Sequence, residues 1–177
     1  MAYSNLNQRR IHIRRFRDSD AVALVRVHRG TIRGVNSKDY SKSQIRAWAN
    51  RSTAKRFKDL VRKNTRFVAI HTVRIRGKLK EKVVGFADYY KNELEGMYIH
   101  KNHLGEGIGK RLLSHLEKDA YKNGIRTLRC TSTITAKAFY EKQGFKTIKK
   151  TTYTIGDQRL PVYRMMKRLR GQPKDFR

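Results

Sequence analysis

A run of glycines sets the chemistry this chain can attempt. From residue 97 the sequence reads Met97-Tyr98-Ile99-His100-Lys101-Asn102-His103-Leu104-Gly105-Glu106-Gly107-Ile108-Gly109-Lys110. The pattern predicts a strand that passes through a glycine-rich turn into a helix. Glycine permits positive φ and close approach of a ligand to the backbone. The free N–H groups of a helix's first turn favour an anion above them. With Lys110 and Arg111 adding charge, a pyrophosphate is the natural guest, although three glycines can also do no more than make a tight turn. Two familiar phosphate loops fail on detail. A Walker loop needs Gly-Lys followed by Ser or Thr, and Gly109-Lys110 is followed by Arg111. A dinucleotide fingerprint needs G-x-G-x-x-G near a first strand and an acid about twenty residues on. Here G-x-G-x-G stands late in the chain, and Arg126 to Arg129 supplies no acid.

Upstream of the loop, Glu93 and Glu95 fall on one face of a strand with Met97 and Ile99. Glu81, Asp88, Glu93, Glu95, Glu106 and Glu117 gather much of the chain's scarce acid around the loop, a place for a cationic amine to dock. Cys130, the only cysteine, has no evident His or Asp partner and reads as a buried small apolar residue. His100-x-x-His103 lacks companion ligands at metal spacing, so no metal is expected.

The elements that must position these groups follow from periodicity. Arg9 to Phe16 alternates as a strand, and Asp18 or Asp20 is placed to cap a helix from about Asp20 to Arg29. Asp39 to Asn50 and a segment capped by Ser52 or Thr53 are further helices. Arg66 to Arg74 and Lys82 to Lys91 pair about a turn at Gly77 to Lys80, and Glu93 to His100 adds a third strand. Gly107 to Asn123 is the clearest helix, closed by Gly124. A strand at Arg126 to Thr131, a helix at Ala136 to Gln143 and a hairpin around Gly156-Asp157 complete the chain, with 168–177 expected to be a flexible tail. This order describes a single α/β (α+β) domain with a central mixed, largely antiparallel sheet flanked by helices.

The chain has 177 residues, enough for one domain, and a formal net charge of +29 from 43 Lys+Arg against 14 Asp+Glu. Such charge raises the prospect of disorder, but nine Tyr, seven Phe and only two Pro in patterned segments argue for a folded core. No apolar run reaches the roughly eighteen residues of a membrane span. The first residues have no apolar stretch of a secretory signal, so a cytoplasmic protein is expected. The cations are spread along the chain and decorate a folded surface. They read either as solvating charge in a basic proteome or as a footprint for RNA or a ribonucleoprotein.

Taken together, Glu93-Leu94-Glu95-Gly96-Met97-Tyr98-Ile99, Gly105-Glu106-Gly107-Ile108-Gly109 and Ala138-Phe139-Tyr140-Glu141-Lys142-Gln143-Gly144-Phe145 resemble, in order and separation, the core of the GNAT N-acetyltransferases. The segment from Ile11 to Ala21 is similar to the family's usual opening. The resemblance is specific from about Val83 to Phe145. It implies acetyl-CoA as co-substrate, an amine acceptor, and direct acetyl transfer. By register with the family motif Glu93 is the expected base, acting through water, with Glu95 second; the alternative is two exposed strand-edge carboxylates, a reading that fits Glu95 better than Glu93. Tyr140 matches the tyrosine that protonates the departing thiolate, and can alternatively be packing on Phe139 and Phe145. Main-chain N–H of Tyr98 or Ile99, beside Met97, would hold the thioester carbonyl. The loop residues Leu104, Gly105, Glu106, Gly107, Ile108, Gly109 and Lys110 would hold the pyrophosphate, with Thr131, Thr133 and Phe139 near the pantetheine. Thr131 to Thr133 can equally form only an N-cap. Leu104 stands where the family usually carries Arg or Gln and removes one side-chain donor. The acceptor region corresponds to Arg29 to Trp48 and Thr151 to Tyr163, with Tyr40, Trp48, Tyr153 and Tyr163 set among cations. An aminoacyl-tRNA acetylating enzyme, an RNA- or ribosome-associated binding protein on the same fold, and a homodimer are all compatible with these features.

Overall fold

The computed structural model describes residues 11–171. A first strand, β1 (Ile11–Arg15), leads into three helices, α1 (Ala21–Gly34), α2 (Lys42–Asn50) and α3 (Ala54–Val61). A meander of β2 (Thr65–Ile75), β3 (Lys78–Tyr90) and β4 (Glu93–Ile99) follows. Then come α4 (Ile108–Lys122), β5 (Thr127–Thr133), α5 (Ile134–Lys142) and the hairpin β6 (Lys146–Ile155) and β7 (Gln158–Arg168). The seven strands form one sheet in the order β1-β2-β3-β4-β5-β7-β6. Every neighbouring pair is antiparallel except β4 with β5.

Both faces of the sheet are covered. On one, Ile108, Leu112, Leu113, Leu116 and Ala120 of α4 pack on Phe67, Ala87, Leu94, Leu128 and Met165. On the other, α1 sets Leu24 and Val27 against Val68, Ile70 and Phe86, while Ile45, Trp48 and Ala49 of α2 meet Leu160 and Val162. Burial from both sides explains why residues 66–70 are all buried rather than alternating.

The differences from the sequence expectations have local causes. α1 continues past Gly30 to Gly34, because buried Thr31 and Ile32 extend its apolar face and outweigh a glycine's helix penalty of about 1 kcal/mol. Neither aspartate caps it: the Asp20 carboxylate pairs with Arg14 at 2.8 and 2.9 Å and accepts the Arg17 N–H. α2 starts at a capping box between Ser41 and Gln44 rather than at Asp39, whose carboxylate takes the Thr135 hydroxyl. The β2–β3 turn lies at Arg76-Gly77, both at positive φ, so β3 resumes at Lys78. The expected tail is held further than predicted: Arg168 pairs with Thr127, and buried Leu169 donates its N–H to Arg126. Residues 172–177 and the strand start at Arg9 lie outside the described residues.

Candidate active site

The sheet comes apart at its centre. β4 pairs with β5 only through Glu93 opposite Arg129 and Leu94 opposite Cys130, while β5 stays with β7 as far as Thr133. The cause lies on the other edge of β4. Asp88 faces Gly96 and Tyr89 faces Leu94, leaving Glu95 as an extra residue. A bulge of this kind bends its strand and increases the local twist, which turns β4 away from β5 and opens a wedge. Because the His100 N–H donates to Val84 on β3, the two-residue alternation of an antiparallel ladder directs Tyr98 to β3 as well. It leaves the main-chain groups of Met97 and Ile99 facing the wedge, where the Ile99 carbonyl takes the Thr31 hydroxyl at 2.7 Å. Of the two expected main-chain donors, the N–H of Ile99 faces the wedge and that of Tyr98 faces β3. The Tyr98 ring instead packs among His28, Trp48 and Phe86.

At the end of the wedge, Gly105 and Gly107 adopt φ of +79° and +74°. A Cβ on either would touch nothing within 4 Å, so backbone conformation demands glycine and the space above the loop is open. Gly107 caps α4 without any side-chain hydrogen bond, and the first-turn N–H groups are left for a ligand. Gly109 allows the helix to close on α5, since a Cβ there would sit 3.3 Å from the Phe139 ring. Lys110 lines the cavity. Arg111 does not add its charge beside it as expected, because its guanidinium donates to the Ile11 carbonyl at 2.6 Å. Glu106 braces the loop through His103 at 3.1 Å and lies outside the lining. Leu104 is exposed at the cavity edge.

One cavity of about 890 Å³ runs through the wedge, from the glycine loop to a mouth between α2, α3 and β6. Tyr140 stands in its wall, 6 % exposed, with its ring between Phe139 and Phe145. Burial holds its phenol well above the ordinary tyrosine value, so it stays protonated at neutral pH. Thr131 and Thr133 also line the cavity, but their hydroxyls are in use: Thr131 accepts Arg164 at 2.6 Å and Thr133 caps α5 by accepting Ala136 N–H. Cys130 is buried, its thiol pushed up to about 12 by desolvation, in keeping with an inert core residue.

The six acids around the loop do not form an open docking field. Glu81 faces Arg14, Asp88 binds Arg66, Glu93 is gripped by both terminal nitrogens of Arg164 at 3.0 and 2.7 Å, Glu106 faces His103, and Glu117 binds Lys167. Among the described residues only Glu95, of these six, has no ion-pair partner. Its carboxyl is raised above the usual range, chiefly by burial and further by the charges of Asp88 and Glu93. Beneath the bulge the buried Arg66–Asp88 pair is ringed by Phe16, Phe57 and Phe86 and completed by Asn64. A Cβ on Gly96 would lie 3.2 Å from Asp88 Oδ1.

The mouth of the cavity, on the side of the expected acceptor region, brings in residues that sequence reasoning missed as site groups: His28, Arg51, Ser52, Arg56 and Phe57. His28 had only the signal of a histidine on an apolar helix face. Its Nδ1 meets the Ser52 hydroxyl, and burial, with Arg56, Arg29 and Arg51 nearby, holds it neutral with a pKa of about 3. Of the four expected aromatics, Trp48 and Tyr153 line the cavity. Tyr40 is instead a core brace, donating to Pro161 and accepting from Ile134, and Tyr163 lies under the Lys137 ammonium. Among the described residues no three His, Cys, Asp or Glu side chains converge as metal ligands, and no helix is long and apolar enough to cross a membrane.

Comparison with known proteins places this geometry. A family model described as an acetyltransferase (GNAT) domain matches residues 36–168. The uncharacterized N-acetyltransferase YafP of Escherichia coli is 27% identical over 139 residues, covering 78% of this chain and 83% of that protein. A GCN5-related N-acetyltransferase of Rhodopseudomonas palustris superposes with a TM-score of 0.79 at 24% identity, over 89% of this chain and 95% of the other. The PaiA N-acetyltransferase of Thermoplasma acidophilum, solved in complex with coenzyme A, gives a TM-score of 0.70 at 23% identity, over 89% and 98% of the two chains.

Proposed function

From the membership of this chain in the GNAT acetyltransferase family, we propose that its cleft moves the acetyl group of acetyl-CoA directly onto a primary amine. The observation that carries this reading is the bulge at Glu95, which opens β4 from β5 directly beside the uncapped, glycine-started end of α4. A flat, fully paired sheet would have no room there. The first-turn N–H groups beyond Gly107, with Lys110, suit the pyrophosphate, and the main-chain groups of Met97 suit an amide of the pantetheine arm. Leu104 leaves this recognition to the backbone.

Acetyl-CoA, when bound, supplies an activated acyl group on a thiol leaving group. The protein's share is to orient it, to bind the amine, and to move two protons. The wedge-facing N–H of Ile99 stabilises negative charge developing on the carbonyl oxygen. Glu95 is the better placed base: it lines the cavity, has no ion-pair partner among the described residues, and its pKa is raised by burial and by Asp88 and Glu93 despite the opposing charge of Arg164. Glu93, preferred from register alone, spends both oxygens on Arg164 and acts by holding β4 to β7. Tyr140 donates to the departing thiolate; its elevated pKa makes it a hydrogen-bond donor first and a proton source as the thiolate charge develops.

The decisive experiment follows acetyl-labelled acetyl-CoA into a cell extract, separated into small-molecule, protein and RNA fractions, beside a Tyr140→Phe control. Label that depends on Tyr140 supports acetyl transfer and names the acceptor class. Label in RNA would attach the +29 charge to substrate recognition and favour an aminoacyl-tRNA acceptor. Absence of Tyr140-dependent label, with salt-sensitive RNA binding, would favour the binding-protein alternative.

A further inference from the structure

The acceptor half of the cavity carries two cations that nothing in the described protein neutralises. Arg51, at the end of α2, meets only the Tyr153 hydroxyl at 3.1 Å and the face of its ring. Arg56, in the first turn of α3, has no carboxylate partner among the described residues and lines the same mouth. Arg51 is half-buried and Arg56 exposed, whereas the other arginines lining the cavity are spoken for, Arg66 by Asp88 and Arg164 by Glu93. The segment bearing Arg51 is also held rigidly. Arg29 reaches across from α1 to donate to the Ala49 and Ser52 carbonyls at 3.3 and 2.7 Å, and Ser52 is tied to His28. Ordering Arg51 therefore costs little when a ligand arrives. The same cavity is lined by Glu95, which among the described residues is the carboxylate in its wall without an ion-pair partner, and by the aromatic rings of Trp48, Phe57 and Tyr98.

Resting on the acetyl-transfer reading, we infer that the acceptor is an amine carrying a second, anionic group, a carboxylate or phosphate, joined to the amine by an apolar body. The amine end is turned to Glu95 and the anion is read by Arg51 and Arg56. Guanidinium groups form charge-assisted, often bidentate bonds with either anion, and a neutral amine leaves both arginines unused.

Trp48 is the only tryptophan of the chain and lies in the cavity wall, so its fluorescence reports acceptor binding without a label. The test uses three amines on one skeleton, tyramine, 4-(2-aminoethyl)benzoate and O-phosphotyramine. Each is titrated against Trp48 emission with coenzyme A present, and assayed for transfer by thiol release. The anionic amines are expected to bind at least about tenfold tighter than tyramine. That ratio should fall toward one in Arg51→Gln/Arg56→Gln and partly recover in Arg51→Lys/Arg56→Lys. Whichever anion gains more identifies the group read. Equal binding of all three, or a preference that survives the double substitution, overturns the inference while transfer to tyramine leaves the enzyme reading standing. Preferential binding of the anionic amines without thiol release upholds the anion site and overturns the acetyl-transfer reading.

Discussion

In the proposed reaction the two halves of the cleft would recognise their ligands with different parts of the chain. The co-substrate half is a backbone site, made of main-chain groups at Met97, Ile99 and the first turn of α4, with glycines at 105 and 107 to set φ. The acceptor half is a side-chain site, made of His28, Trp48, Arg51, Arg56 and Tyr153 from four different elements. A backbone site is specified by a short contiguous motif and fits a constant ligand. A side-chain site can be rewritten one residue at a time, which suits the variable partner of the reaction. Glu95 and Tyr140 line the same cavity and, in the proposed reaction, carry its two proton transfers.

That division can be broken by substitution. Tyr140→Phe should have the largest effect, lowering kcat by about 10²-fold or more while the affinity for acetyl-CoA measured by calorimetry stays close to that of the parent. Loss of affinity instead would make Tyr140 a packing residue of the co-substrate half.

Glu95→Gln should lower kcat/KM by about 10²-fold and remove its acidic limb. The sign follows from the raised pKa: the carboxyl is the active base only when ionised, so the rate falls as pH drops through a value above the ordinary glutamate range. Glu93→Gln should leave that limb in place and act mainly on stability, by freeing Arg164. A limb that vanishes with Glu93 and survives without Glu95 would reverse the assignment.

Gly107→Val sharpens the comparison from the backbone side. Forcing a β-branched residue to φ of +74° costs on the order of 1–3 kcal/mol. The acetyl-CoA dissociation constant should rise by about tenfold, with little change in the relative rates among amines. A changed acceptor preference would show that the halves are not independent.

The smallest effect concerns His28. Its pKa is about 3 in the fold against an ordinary 6.5, so below the ordinary value the unfolded chain takes up a proton that the folded chain refuses. Stability therefore falls with acidification, with a slope approaching about 1.4 kcal/mol per pH unit. Urea unfolding at pH 7, 6 and 5 should show a shallower pH dependence for His28→Gln than for the parent. Identical slopes would mean that His28 is not desolvated.

The sequence made the co-substrate half legible because its physics is local. Gly105, Gly107 and Gly109 stand in one loop, and their order before a strongly amphipathic helix already implies an anion site. The acceptor half was legible only as an aromatic and cationic composition. Trp48 and Tyr153 could not be separated from Tyr40 and Tyr163, because all four are tyrosine or tryptophan among Lys and Arg. Only the direction of each ring decides which faces the cavity. His28 gave no more signal than a residue on an apolar face.

The choice between the two glutamates shows where sequence stops. Residue types and spacing alone determined a mixed α/β fold, a glycine loop opening a helix, and two candidate acids on one strand. Tertiary structure alone decided that Arg164, seventy-one positions away, closes on Glu93, and that a bulge leaves Glu95 unpaired at the cavity wall. Periodicity is a property of neighbours along the chain. A carboxylate's protonation and reach are set by the charges and burial that folding brings to it.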